Sequence, residues 1–327
     1  MSDMVEAGVV GVGSMGTHHA RVYSELTGVD LVGVSDVDRQ RANEIADRFD
    51  TAVCDRESLL ARADAVSIAV PTRHHVEVGL EAVESGTHLL VEKPFVDDID
   101  AGRNLLEAAR RRDLVLQVGH IERYNPAFEA LQDVLVEANP IAVAARRQGP
   151  PVDRDGSDDV VFDLMIHDID IVTALANGPV TDVSAVGIED KSHVVAQIEF
   201  ADGLIATLTA SRITQEKIRD LAVTAKDCQI DVDYMDQSVQ IHRHSLPEYV
   251  TSNGDVRYRH ESIIERPTVE NGEPLKNEVR EFVDAVSDGT EPRTTAADGL
   301  HAVELAHRIA DATGHRTAGR PMEVPDP

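Results

Sequence analysis

The amino-acid sequence predicts an α/β protein in two parts, a doubly wound parallel sheet followed by an α+β unit built on an open, mostly antiparallel sheet. Up to about residue 120, short apolar runs alternate with segments of helical period, the pattern of a parallel sheet with crossover helices. A glycine-rich turn, Gly11-Val12-Gly13-Ser14-Met15-Gly16, joins the first run to the first helix. Beyond residue 180 apolar residues recur at every second position, as a half-buried antiparallel sheet requires. At 327 residues the chain exceeds what one core usually supports. The expected division is 1–120 and 121–327, with room for closing helices at about 275–313 to pack back on the first part.

Taken in order, Val5 to Val10 is a strand, and the glycine turn opens a helix running from Ser14 to about Leu26. The turn fits G-x-G-x-x-G. Gly11 allows the tight turn, Gly13 lets backbone approach a pyrophosphate, and Gly16 lets helix and strand pack closely. Ser14 and Met15 stand at the helix start, where free N–H groups favour phosphate. A second strand, Leu31 to Val34, leads to Asp36, about twenty residues past the last glycine and so at the place of a ribose-binding carboxylate. That carboxylate favours NAD, although Arg39 leaves NADP open and Asp36 also suits a helix cap. A helix from Arg39 to Phe49 and a short strand at Thr51 to Cys54 follow. Next come a buried strand from Ala65 to Val70, ending at the expected ligand edge with Pro71 and Thr72, and a helix from Val76 to Ser85. The strand His88 to Val91 runs into Glu92-Lys93-Pro94. A helix from about Asp98 to Arg112 and a sixth strand, Val115 to Val118, complete the sheet.

Lys93 therefore lies beyond the C-terminal end of a strand, the ligand edge of open α/β sheets. It suits stabilising a developing alkoxide, or equally a loop ion pair with Glu92. Arg123 sits at the join between the two parts, in Gly119-His120-Ile121-Glu122-Arg123-Tyr124-Asn125-Pro126. Asn125 and Pro126 have the chemistry of a helix start. The strand Ile141 to Ala145 delivers Arg146 and Arg147, candidates for a diphosphate or carboxylate partner. On a helix from Asp159 to Ala176, Asp163 and His167 are four apart and share one face, suited to a general base beside a carboxylate. Three uses of His167 stay open on sequence alone: that base, an interior histidine, and a metal ligand with Asp168 and Asp170. No other clustered residues support a metal. Hairpins follow around Asp202-Gly203 and Lys226-Asp227, then Val239 to Ile241, an irregular stretch from Ser245 to Asn271, and helices at about Leu275 to Ser287 and Ala296 to Thr313. The helix bearing His167 is expected to cover one face of the sheet, leaving the other for a partner subunit in a homodimer or homotetramer.

Composition narrows the function. Asp and Glu number 59 against 31 Lys and Arg, a formal net charge of −28, which repels nucleic acid and anionic membranes. Only Lys93, Lys191, Lys217, Lys226 and Lys276 are lysines, and an acidic, lysine-poor surface suggests adaptation to high salt. Cys54 and Cys228 form no disulfide framework. With no signal-like or membrane-length apolar run, a cytoplasmic protein is expected.

Gly11-x-Gly13-x-x-Gly16, Glu92-Lys93-Pro94 and Asp163-x-x-x-His167, in this order ahead of an open antiparallel sheet, resemble the Gfo/Idh/MocA family of oxidoreductases. Within it, residues 119–126, Arg146-Arg147 with Gly149-Pro150, and Asp163 to Asp170 look like the archaeal UDP-N-acetylglucosamine 3-dehydrogenase branch. Tyr124 stands where that branch has phenylalanine. The resemblance implies an N-terminal Rossmann domain binding NAD through Gly11, Gly13, Ser14, Met15, Gly16, Asp36, Pro71, Thr72, Glu92 and Lys93. It implies Lys93, Asp163 and His167 as the catalytic group, His167 taking the proton from a sugar hydroxyl, Lys93 stabilising the alkoxide character and Asp163 orienting or relaying for His167. Arg123, Asn125, Arg146, Arg147 and His167 are the expected substrate contacts, with no metal. Other expectations compatible with the motifs are an inositol or aldose dehydrogenase, a redox-neutral NAD-dependent glycosidase, and a non-catalytic nucleotide sensor.

Overall fold

The computed structural model describes residues 4–136, 138–151, 159–244, 248–252, 255–259 and 261–314. Its first sheet has five parallel strands in the order β2-β1-β3-β4-β5: β1 (Val5–Val10), β2 (Val29–Ser35), β3 (Ala65–Ile68), β4 (His88–Glu92) and β5 (Leu116–Gly119). The short strand expected at Thr51 to Cys54 is one isolated bridge, Val34 to Val53. It is cut short because Asp55 caps a helix that the periodicity did not reveal, accepting a hydrogen bond from the Ser58 N–H at 2.8 Å.

Helices cover both faces. On one side α1 (Ser14–Glu25), α2 (Arg39–Phe49) and α8 (Pro274–Asp288) bury Tyr23, Ile45, Val279 and Phe282. On the other, α3 (Arg56–Arg62), α4 (His75–Ser85) and α5 (Ile99–Arg110) bury Leu59, Val78 and Leu105. The last helix, α9 (Ala296–Gly314), joins the two halves: Leu300 packs into the core of the parallel sheet, and Val303, Leu305 and Ile309 into the core of the second sheet.

That second sheet has eight strands, ordered β15-β12-β11-β10-β6-β9-β8-β7. They are β6 (Pro140–Gln148), β7 (Val180–Gly187), β8 (His193–Phe200), β9 (Ile205–Ser211), β10 (Ile218–Ala225), β11 (Cys228–Asp233), β12 (Ser238–His244) and β15 (Ser262–Glu265). All neighbours are antiparallel except β6 and β9. The stretch expected to be irregular instead holds β15 and a hairpin of β13 (Glu248–Ser252) and β14 (Asp255–Arg259). Charged residues such as Glu248, Asp255 and Glu265 mask the alternation there.

One face of this sheet is covered by α6 (Pro126–Leu135), α7 (Ile166–Leu175) and α9. The helix expected from Asp159 begins with a π-helical turn, Val161–Met165, before α7 proper. Since α7 is buried on nearly every side, including Ile166, Ile169, Ile171 and Val172, its acidic residues must be paired inside the protein.

Candidate active site

The glycine turn has the shape its sequence demands. Gly11 has φ 86°, and a Cβ there would lie 2.8 Å from the backbone of Ala69. A Cβ at Gly16 would lie 1.7 Å from the Gly11 carbonyl oxygen, so helix and turn touch. At Gly13, by contrast, a Cβ would meet nothing within 4 Å, because the backbone opens onto a cavity. That cavity, about 520 Å³, is lined by Val12, Gly13, Ser14, Thr17, His18 and Arg41 at the start of α1. Asp36 fixes the turn from the end of β2: its Oδ2 accepts from the Val12 N–H and its Oδ1 from the Asp38 N–H, each at 2.8 Å. Bare backbone at Gly13, a helix N-terminus and an adjacent carboxylate fit a dinucleotide's pyrophosphate and ribose. Pro71 and Thr72 lead the short turn after β3, on the same sheet edge.

Beside this cavity, β4 ends at Glu92 and delivers Lys93 through a cis Lys93–Pro94 peptide. Glu92 is 7% exposed and anchored from below. Its Oε1 lies 2.8 Å from His19 Nε2, His19 Nδ1 lies 2.9 Å from Ser67 Oγ, and that hydroxyl is 2.8 Å from the Tyr23 hydroxyl. His19 thus faces the carboxylate with Nε2 and the hydroxyl with Nδ1, so each ring nitrogen has a partner. Burial opposes ionisation of Glu92, but His19 and Lys93 outweigh it and hold the carboxyl below its usual range. The Lys93 loop thus rests on a rigid, fully bonded base, and Glu92 serves as its anchor.

Lys93 Nζ reaches across to the π turn, donating to the Asp163 carbonyl oxygen at 2.8 Å and lying 3.6 Å from Asp163 Oδ1. Arg212, just past β9, pairs with the other Asp163 oxygen. Desolvation opposes the Asp163 charge, yet Lys93 and Arg212 keep its carboxyl below the usual range. The Lys93 ammonium is weakened by desolvation against the support of Asp163 and Glu92. Among the described residues no hydrogen bond joins Asp163 to His167. Attraction to two cations turns the Asp163 carboxylate toward Lys93 and Arg212.

His167 lies on the first turn of α7, its Nδ1 buried with no partner among the described residues. Burial holds the imidazole well below its ordinary pKa, and Lys93, Arg147, His120 and Arg219 depress it further. The ring is neutral at physiological pH and able to accept a proton. Its neighbours Asp168 and Asp170 diverge to separate arginines, so the three do not converge as metal ligands.

The residues expected on the substrate side are placed differently. Arg147, 1% exposed, donates to Asp168 at 2.9 Å and to Glu122 at 2.7 Å. Arg123 forms a two-point pair with Asp170 at 2.7 and 2.8 Å. Asn125 caps α6 through the Ala127 N–H and donates to the Tyr234 carbonyl oxygen at 3.1 Å. Arg147 and Arg123 serve the interior because α7 buries carboxylates that must be compensated, whereas Asn125 serves as a helix cap. Arg146, one position along β6 from Arg147, points to the opposite, open face and pairs with Asp220. Sequence reasoning missed His19 and Ser67, which lie on separate elements, and Arg212 and Arg219, which follow no motif. Arg41 beside the cofactor cavity was also missed, although its position near Arg39 was a usable signal.

Comparison with known proteins agrees with this geometry. Residues 5–120 match the model of an oxidoreductase family with an NAD-binding Rossmann fold, and residues 141–231 match the GFO/IDH/MocA C-terminal domain. A UDP-N-acetylglucosamine 3-dehydrogenase of Acidithiobacillus ferrooxidans is 36% identical over 243 residues, 73% of this chain and 77% of that protein. A solved structure of that enzyme superimposes with a TM-score of 0.84, covering 94% of this chain and 97% of its own, at 31% identity. An inositol 2-dehydrogenase of Acidothermus cellulolyticus is 26% identical over 98% of this chain and 96% of its own. With the glycine cradle, the Lys93 loop and His167 assembled as described, the chain belongs to the Gfo/Idh/MocA family of oxidoreductases.

Proposed function

We propose that this protein oxidises the 3-hydroxyl of UDP-N-acetylglucosamine with NAD as acceptor. The observation that carries the reading is the neutral His167 beside Lys93, at the sheet edge where the dinucleotide cradle opens. The 36% identity to a 3-dehydrogenase of that sugar supports the substrate; that relative is bacterial, so the likeness lends no weight to an archaeal branch. Bound at the cradle, NAD supplies a hydride acceptor. His167 takes the hydroxyl proton as general base, a contribution of about 10²- to 10⁴-fold. Lys93, held by the Asp163 carbonyl and carboxylate, donates to the oxygen as it gains alkoxide character. Asp163 and Arg212 position Lys93. The carboxylate of Asp36 beside the cradle favours NAD over a 2′-phosphorylated cofactor by charge repulsion.

We further propose a homo-oligomer formed through the open sheet face, where Val186 (64% exposed), Ile205 (41%) and Val195 (37%) lie on neighbouring strands. The test of function is NADH absorbance with NAD and, separately, UDP-N-acetylglucosamine, myo-inositol and free hexoses. Steady signal with the UDP-sugar is expected. Signal with myo-inositol alone would instead place the protein with the inositol dehydrogenases.

A further inference from the structure

The loop between β9 and β10 brings together cations that no motif marks, in a chain whose net charge is −28. It is tied down at both sides of Gly149: the Gly149 N–H donates to the Ser211 carbonyl at 3.0 Å, and Thr214 N–H to the Gly149 carbonyl at 3.2 Å. Arg212 opens the loop, Lys217 ends it, and Arg219 follows on β10 directly opposite Arg147 of β6. Two arginines facing across a strand pair repel each other unless anions lie between them.

Among the described residues the nearby carboxylates are already engaged. Glu122 and Asp168 hold Arg147, and Glu122 Oε1 lies only within 3.7 Å of Arg219. Asp163 is shared by Lys93 and Arg212. Among the described residues the buried Arg212 Nε–H finds no acceptor and Lys217 has no ion pair. Glu92 is held by His19 behind the Lys93 loop. Among the described residues Lys217 is thus left without a carboxylate partner, Arg219 has Glu122 only at 3.7 Å, and the Arg212 Nε–H is unbonded.

We infer that Arg219, Lys217 and the free Nε–H of Arg212 form the seat of the diphosphate of a nucleotide-linked sugar, whose sugar end reaches His167. The inference rests on the proposed function and names the residues that select a nucleotide-linked sugar over a free one. A diphosphate diester carries two negative charges, one for each of Lys217 and Arg219, whereas a single sugar carboxylate would leave one of these cations without a partner. In agreement, Lys217 is weakened as an acid–base group chiefly by Arg219, and Arg219 by desolvation and then by Arg147, as groups awaiting an anion are.

The test measures calorimetric affinity for UDP, UMP and uridine in the NAD-loaded protein, for wild type, Arg219→Ala, Arg219→Lys and Lys217→Ala, together with KM for UDP-N-acetylglucosamine. Wild type should bind UDP more tightly than UMP. Arg219→Ala should lose about tenfold to a hundredfold in UDP affinity, with partial recovery in Arg219→Lys and unchanged NAD affinity. Lys217→Ala, at an exposed position where folding is not at risk, should lose UDP affinity in the same direction while uridine binding stays level. Equal UDP affinity in wild type and both alanine variants, with the UDP-sugar still oxidised, would overturn the diphosphate seat and leave the proposed function standing. No UDP binding by wild type together with oxidation of myo-inositol would overturn both.

Discussion

Replacing Arg147 by alanine removes, among the described residues, the only guanidinium bonded to Asp168 and the closest one to Glu122, whose side chains are 3% and 8% exposed. Two carboxylates would then be left in the interior with the Asn125 amide, 3.3 Å from Glu122, and Arg219, 3.7 Å from it, as the remaining support among the described residues. Breaking a buried ion pair by removing one partner costs about 3–5 kcal/mol. At about 2–4 °C per kcal/mol for a domain of this size, Tm should fall by roughly 6–20 °C. The adjacent arginine supplies the control. Arg146 pairs with Asp220 on the open face with its side chain 56% exposed, and such a pair contributes about 0–1 kcal/mol. Arg146→Ala should therefore melt within about 4 °C of wild type. Circular dichroism melts of both variants are to be compared with their KM for the UDP-sugar. An Arg147→Ala protein that melts within about 2 °C of wild type, while its KM rises more than about tenfold, would make Arg147 a substrate contact and refute the interior ion-pair reasoning.

His167 accepts a proton only when neutral, and burial with its surrounding cations lowers its pKa, so the neutral form survives to lower pH. The acid limb of kcat/KM should lie below about 6.5, and a limb above that value would remove His167 as the base. Gly13→Ala adds a methyl to open space and should leave Tm unchanged while weakening NAD binding, read by fluorescence titration. Gly16→Ala, whose Cβ would stand 1.7 Å from the Gly11 carbonyl oxygen, should lower Tm as well, and equal behaviour of the two variants would contradict the cradle geometry. With a net charge of −28, raising KCl from about 0.1 to 1 M shortens the screening length from about 10 to about 3 Å and should raise Tm; a falling Tm would count against salt adaptation.

The parallel sheet was legible because each buried strand is a continuous apolar run bounded by glycine, proline or a helix cap. The glycine turn was legible for a stricter reason: Gly11 and Gly16 occupy places where any Cβ would clash. Lys93 was marked by its place beyond a strand end. The arginines were harder. Whether Arg147 faces solvent, substrate or a buried carboxylate depends on the alternation along β6 and on what α7 places opposite, and neither is local in sequence. The Tyr23, Ser67, His19 and Glu92 chain is invisible for the same reason, since its members come from α1, β3 and β4. The hairpin of β13 and β14 was missed because turn residues and charges outweigh its short alternating runs.

The central claim, oxidation at carbon 3 of a UDP-linked N-acetylglucosamine, is tested most directly with substrate carrying deuterium at that carbon. After turnover with NAD, the reduced cofactor should contain one deuterium by mass spectrometry, and His167→Ala should form almost none of it. Reduced cofactor without deuterium, formed from the labelled sugar at the wild-type rate, would show that hydride leaves another carbon and would contradict the assignment.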